Sequence, residues 1–410
     1  MIPRRRLHCD PRAPGLVVRS IVGGAVLEGP DGASLALEAA ASVAHPGAPH
    51  PIAATTSSGR NALARLLRAL GVPGGGTILI PAYTLGSLVP FLEALGHTVR
   101  FCDVEESSPV MSLRSVQAAW TRDIRCVLVT HLFGLSAEVD EITAFARARR
   151  AVVIEDCAHA WGTRRDRVPV GARADGALFS LDPVKPVHAF GGGVALLTNP
   201  STEELRALGA PGRQSTATAV LGQVARGGLE GLVFRDPWLR VPSGFLAFEQ
   251  TRWAMERLDG RLRRRSPSPD PDAGLSNLQA AIARLHLETL EARLQRRRAV
   301  ARHVLDALGL DDIRLTEEAS TRSNAYFIIV RAAPTEDART LRRELWRRGI
   351  DAGVGTEVAD DAAAAAGVRC AHAADWFARA VQLPCFEDMT EPVLTDLTER
   401  LRSFRGRLVP

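Results

Sequence analysis

Between about residues 57 and 199 the chain alternates short apolar runs with stretches whose apolar positions recur at helical spacing. Residues 77–80, 98–102, 124–130, 151–155, 177–181 and 194–198 read as strands, and 62–70, 85–95 and 138–149 read as helices between them. The run from Ile124 to Thr130 is almost wholly apolar, as expected of a strand covered on both faces. Strands alternating with helices predict an α/β layer architecture with a mainly parallel sheet flanked by helices.

The pattern changes after residue 210. Residues 211–274 mix apolar segments, Trp238, Trp253 and clustered arginines, and end in Ser266-Pro-Ser-Pro-Asp-Pro-Asp, a loop signature. The apolar part, 211–248, reads as a packing insertion, an arm over a partner subunit or a patch on a membrane surface. Beyond it, 276–308 reads as one long helix, 324–330 as a strand, and 336–348 and 391–402 as helices. The expected organisation is an N-terminal segment (1–45), a large domain (46–210), an insertion or linker (211–274) and a smaller α+β C-terminal domain (275–410).

Composition narrows the function. With 410 residues and 46% hydrophobic content the chain is long enough for two packed lobes. A net charge of +5, spread among 46 acids, gives no nucleic-acid footprint. The cysteines (Cys9, Cys102, Cys126, Cys157, Cys370, Cys385) include no CxxC pair, so no metal site is expected. Cys102, Cys126 and Cys157 read as buried reduced thiols. The N-terminal arginines are not followed by an apolar signal segment, and no apolar run is long enough to span a bilayer. A cytoplasmic location is expected.

One count changes the picture. Lys and Arg together number 51, and a single one of them, Lys185, is lysine. Arginine replaces lysine in ion pairs and phosphate contacts, but guanidinium does not give up its proton to become a nucleophile. A lone retained lysine points to Schiff-base chemistry; codon bias with one survivor is the bland alternative.

Four segments surround that lysine in the sequence order of one chemistry. Ser57-Ser-Gly-Arg-Asn-Ala-Leu leads into a helix, and a helix N-terminus suits a phosphate, with Arg60 adding charge. Asp156 follows an apolar strand, where an open α/β sheet presents its ligand crevice; a carboxylate there holds a pyridinium nitrogen protonated or caps a helix. His159, three residues on, reaches a ring oxygen or caps the turn. Ser180 stands five residues before Lys185, and Gly191-Gly-Gly allows a close backbone approach.

Taken together, Ser58-Gly-Arg-Asn-Ala-Leu, Ile80-Pro-Ala-Tyr-Thr, His131-Leu-Phe-Gly, Ile154-Glu-Asp-Cys-Ala-His-Ala, Ser180 through Lys185, Ser276-Asn-Leu-Gln-Ala-Ala-Ile and Leu383-Pro-Cys-Phe resemble the DegT/StrS-type sugar aminotransferases. The resemblance runs from roughly Leu35 to Arg402, apart from the insertion. It implies the type I aminotransferase fold and pyridoxal 5'-phosphate (PLP) as cofactor. It further implies that Lys185 forms the Schiff base and shuttles the proton, that Asp156 pairs with the ring nitrogen, and that His159 sits near the ring hydroxyl. Ser180, Gly59 and Arg60 would hold the phosphate. Leu85 stands where the family often stacks an aromatic residue, and would give apolar contact only. The implied assembly is a homodimer. The implied reaction moves an amino group, with glutamate the expected donor, to a keto group on a nucleotide-linked sugar.

The chain also departs from the family. Asp272, Ala273 and Gly274 stand where the family tends to carry Asn-x-Arg, and 351–367 is alanine-rich without the family's His-Tyr pattern. A keto-cyclitol or other non-sugar acceptor is therefore a second reading. A sugar dehydratase is a third; such relatives carry His in place of the lysine, and His188 lies close to Lys185. A non-catalytic PLP-binding paralogue is a fourth.

Overall fold

The computed structural model describes residues 1–8, 10–209, 216–233, 269–310 and 323–410. Two helices, α1 (Ala13–Val22) and α2 (Asp31–Val43), precede a seven-stranded sheet. Its strands are β1 (Ile52–Thr56), β2 (Thr77–Pro81), β3 (Thr98–Cys102), β4 (Ile124–Thr130), β5 (Val152–Asp156), β6 (Gly176–Ser180) and β7 (Gly193–Leu197), in the order β1-β7-β6-β5-β4-β2-β3. Strands β6, β5, β4, β2 and β3 pair in parallel, while β7 is antiparallel to both its neighbours. Every strand except β7 therefore runs the same way, and six carboxyl ends share one edge with the start of β7. The strands anticipated from periodicity lie within one residue of those observed. The edge strand β1, Ile-Ala-Ala-Thr-Thr, carries too weak an alternation to be read in advance.

The sheet is buried on both faces. On one, helix α3 (Gly59–Ala69) lays Leu63, Leu66 and Leu67 against Ile78, Ile154 and Ala195. On the other, α2 and helix α4 (Asn277–Glu288) share a core with Phe179 and Val194.

The single helix expected over 276–308 is two, α4 and α5 (Leu290–Leu308), broken at Thr289 (φ −97°, ψ 1°). The Thr289 hydroxyl donates to the Leu285 carbonyl four residues back at 3.3 Å, a contact that competes with the helix ladder and bends it. The break lets α4 lie on the large sheet while α5 reaches the smaller one.

The smaller sheet is antiparallel, with β8 (Ile328–Ala332), β9 (Gly353–Val354), β10 (Ala380–Leu383) and β11 (Leu408–Val409) in the order β9-β10-β8-β11. Strand β8 starts four residues later than the apolar run suggested. The Asn324 side chain accepts the Tyr326 N–H at 3.0 Å, and Ala325 adopts a left-handed φ of 52°, which together take that segment out of the ladder.

Of the expected insertion, a helix covers Ala217–Val233, while residues 211–215 and 234–268 lie outside the described residues. The same holds for most of the 211–248 stretch read as a membrane-surface patch. No helix among the described residues is long and apolar enough to cross a membrane. Cys102, Cys126 and Cys157 are buried free thiols.

Candidate active site

The carboxyl-terminal edge of the sheet gathers the chemistry. Asp156 is the last residue of β5, in register with Thr130 of β4 and Leu178 of β6. Its Oδ1 accepts the Ala158 N–H at 3.0 Å, while among the described residues its Oδ2 receives no hydrogen bond. Burial raises the Asp156 pKa; the Ala158 N–H and the positive charge of Lys185 oppose the shift. A carboxylate in this position is stabilised as the anion by any further donor placed before Oδ2.

Behind Asp156, Glu155 points to the other face, fully buried. Its Oε2 accepts from His131 Nε2 at 3.0 Å and from Gly171 N–H at 2.8 Å, and its Oε1 from the N–H groups of Arg173 and Ala174. Burial works against its charge, but His131 and these backbone donors outweigh it and hold the pKa below the usual range. The His131 backbone N–H in turn donates to the Asp156 carbonyl at 3.0 Å. His131, Glu155 and Cys157 come within metal-ligand reach of one another. Both His131 ring nitrogens are engaged, however, Nδ1 accepting from the Ala137 N–H at 3.1 Å, so the cluster is satisfied as a brace for β5.

His159 sits on the turn after β5. Its Nδ1 accepts the Phe133 N–H at 3.3 Å, and its ring contacts both Phe133 (centroids 6.1 Å apart, interplanar 11°) and Phe327 (4.9 Å, 58°). Burial, then the Lys185 charge, pushes its pKa well below the ordinary value. A neutral imidazole accepting at Nδ1 carries its proton on Nε2 and offers one N–H donor. Asn324 secures this turn by donating to the carbonyls of His159 (2.8 Å) and Trp161 (3.1 Å).

The anion cradle comes from a third junction. Ser58 caps α3, its Oγ accepting the Asn61 N–H. The backbone N–H groups of Gly59 and Arg60 have no acceptor among the described residues. A Cβ on Gly59 would lie 3.0 Å from the Ser180 Cβ, so the helix start and the end of β6 touch. Gly193 explains part of the glycine triplet: a Cβ there would lie 2.6 Å from the Ser58 carbonyl carbon. Arg60 donates to the Ser87 hydroxyl at 3.1 Å, and burial lowers its pKa against the pull of Asp182. Leu85, two residues before Ser87, is 42% exposed. Free N–H groups, the helix dipole, a serine hydroxyl and a guanidinium form a fitting donor set for a phosphate.

Lys185 lies in the loop after β6, partly exposed, and its charge is felt at both Asp156 and His159. The structure thus brings Gly59, Ser180, Asp156, His159 and Lys185 to one edge. His188 has another place: it is fully buried, and its Nε2–H donates to the His8 carbonyl at 2.6 Å. Asp272, Ala273 and Gly274, the departure from the family pattern, dock beside α3: the Ala273 carbonyl accepts the Ser57 N–H at 2.9 Å on the turn before it, and Asp272 pairs with Arg68 in its last turn at 2.7 Å. Phe133, Asn324, Tyr326 and Phe327 were not legible as site residues, because no spacing ties them to Asp156 or Lys185. The residues present fit PLP at both ends, with an acceptor carboxylate oxygen for a protonated ring nitrogen and the donors of the α3 cradle for the phosphate.

Comparison with known proteins bears on the family and the fold. A UDP-N-acetyl-3-dehydro-alpha-D-glucosamine 3-aminotransferase of Acidithiobacillus ferrooxidans is 33% identical over 35% of this chain and 38% of its own length. The L-glutamine:scyllo-inosose aminotransferase of Streptomyces griseus is 27% identical over 74% of this chain and 63% of its own. The chain thus spans less than two thirds of the length of these curated relatives. The aminotransferase TlmJ from Streptoalloteichus hindustanus superposes with a TM-score of 0.74 at 17% identity, covering 98% of each chain, which establishes the fold. The model of the DegT/DnrJ/EryC1/StrS aminotransferase family matches residues 17–227 and 269–402, and the chain belongs to that family.

Proposed function

We propose that this chain is a PLP-dependent aminotransferase that takes an amino group from a donor, glutamate in the first instance, and delivers it to a keto group on a nucleotide-linked sugar. The family is PLP-dependent. The observation that carries the reading is the convergence, on one sheet edge, of the only lysine, an acid with an open oxygen and a helix start with free N–H groups.

When bound, PLP supplies the electron sink that makes the proton next to the donor nitrogen removable. The chain's residues do the rest. The N–H groups of Gly59 and Arg60, with Ser180, would hold the phosphate, and Asp156 Oδ2 would accept from the ring nitrogen. His159 would offer its Nε2–H as a donor to the cofactor. The Lys185 amine would be the covalent anchor and would move the proton. The assembly is proposed as a cytoplasmic homodimer.

The test uses the lone lysine. Borohydride reduction of the PLP-loaded protein should place a pyridoxyl label on Lys185, and glutamate should yield 2-oxoglutarate. Lys185→Ala should abolish both. A Lys185→Ala variant that transaminates at the wild-type rate ends the proposal. A second reading, a keto-cyclitol acceptor, rests on the similarity to the scyllo-inosose enzyme over 74% of this chain. Presenting both acceptor classes to the amine-loaded protein separates the two.

A further inference from the structure

The loop that carries Lys185 is neither helix nor strand, yet four of its backbone carbonyls accept hydrogen bonds from buried side chains. Tyr326 donates its O–H to the Lys185 carbonyl at 2.8 Å. Arg293 Nη2 donates to the Pro186 carbonyl at 2.9 Å. His286 Nδ1 donates to the His188 carbonyl at 2.7 Å, and Gln279 Nε2 to the Ala189 carbonyl at 3.4 Å. The four donors come from α4, α5 and the segment before β8, and none is more than 7% exposed. A buried loop carbonyl left without a donor is costly, so each contact fixes the backbone where it is made.

Tyr326 is the member that grips Lys185 itself, and it is braced from behind. Arg297 Nη1 donates to the Tyr326 carbonyl at 3.0 Å, and its guanidinium lies 4.1 Å from the centre of the Tyr326 ring. Arg297 is paired with Glu387 at 2.7 Å, and Glu387 sits just beyond β10 of the smaller sheet. A left-handed Ala325 (φ 52°) and the Asn324 side chain set the turn that presents Tyr326.

Resting on the Schiff-base reading of Lys185, we propose that Tyr326 is a positioning residue for the lysine. Its hydroxyl fixes the Lys185 carbonyl, and with it the direction in which the side chain leaves the backbone. The Glu387–Arg297 pair holds Tyr326 in place, which ties the aim of the lysine to the seating of the smaller sheet. Lysine has four rotatable side-chain bonds, so a free backbone would spread the amine over many positions, and a displacement of about 1 Å at a reacting group costs on the order of a hundredfold in rate.

Tyr326→Phe removes only the hydroxyl and tests the proposal. In the cofactor-free protein, hydrogen exchange in the peptide covering 181–192 should rise several-fold while the β4 and β5 peptides stay unchanged. In the loaded protein, kcat for the glutamate half-reaction should fall about tenfold or more, with KM for glutamate within twofold. A merely structural hydroxyl would lower the melting temperature without moving kcat of the folded enzyme. Unchanged exchange in 181–192, or kcat within twofold of wild type, overturns the proposal. The exchange readout needs no cofactor. An absent pyridoxyl label on Lys185 would therefore sink the Schiff-base reading separately.

A second measurement needs no altered hydroxyl. The chain has only two tyrosines. Fluorotyrosine labelling gives two resonances, assigned by Tyr83→Phe, and the Tyr326 signal should shift when Lys185 is reductively labelled. A Tyr326 signal indifferent to that label counts against the contact.

Discussion

The backbone N–H of Phe133 donates to Nδ1 of His159, which fixes the imidazole tautomer from a strand end 26 residues earlier. The consequence is that His159 stays neutral: burial and the Lys185 charge both lower its pKa. The imidazole carbon resonances of His159 should therefore not titrate around pH 6.5, where a free histidine changes charge. His159→Gln should keep more activity than His159→Ala, because the amide N–H replaces the Nε2 donor. Equal loss in both would rule out the donor role.

Asp156→Asn should retain the pyridoxyl label on Lys185 but lose turnover. An amide presents no anion to a ring nitrogen, and the loss expected for a preorganised electrostatic contact is on the order of a hundredfold or more. Single-turnover rates with glutamate measure it; turnover close to wild type would remove Asp156 from the site.

Asn324→Ala strips partners from the His159 and Trp161 carbonyls and the Tyr326 N–H in one step. Each orphaned buried group costs about 1–3 kcal/mol, so denaturant titration should show a loss of about 3 kcal/mol or more. Asn324→Asp keeps the acceptor and should restore only the Tyr326 contact.

Gly193→Ala places a methyl group 2.6 Å from the Ser58 carbonyl carbon, against backbone that has no rotamer to yield. Overpacking of this kind costs about 1–3 kcal/mol and should displace the α3 start. Both the denaturation midpoint and PLP affinity should fall; unchanged PLP affinity would separate Gly193 from the cradle.

Stability should decline in acid through three buried histidines. Burial first, then neighbouring charge, pushes His159 and His188 well below their ordinary pKa and His286 down to about 3. Groups with depressed folded pKa values leave the unfolded chain binding more protons, so stability is full above about pH 6.5 and falls as pH drops below it. Each such group adds up to about 1.4 kcal/mol per pH unit to the slope. His188→Gln should reduce the slope by one group's share; an unchanged slope would assign the acid sensitivity elsewhere.

Much of this protein was legible before its structure. Short apolar runs set between stretches of helical period placed six strands of the large sheet, because strands buried on both faces must be apolar throughout. Lys185 stood out because arginine does not do its chemistry, and Asp156, Ser180 and Gly59 because strand ends and helix starts have fixed positions in an open sheet. What the chain order could not convey is contact between residues far apart in sequence. Tyr326 meets Lys185 across 141 positions and Arg297 meets the Cys385 carbonyl across 88. Asn324 reaches His159 across 165. Nothing local marks these side chains, since their roles arise only when α4, α5 and the smaller sheet close on the loop and leave its carbonyls without water. The sequence alone determined which groups are candidates for the chemistry; the tertiary structure decided how they are held, because buried polar groups must find donors wherever the packed chain brings them.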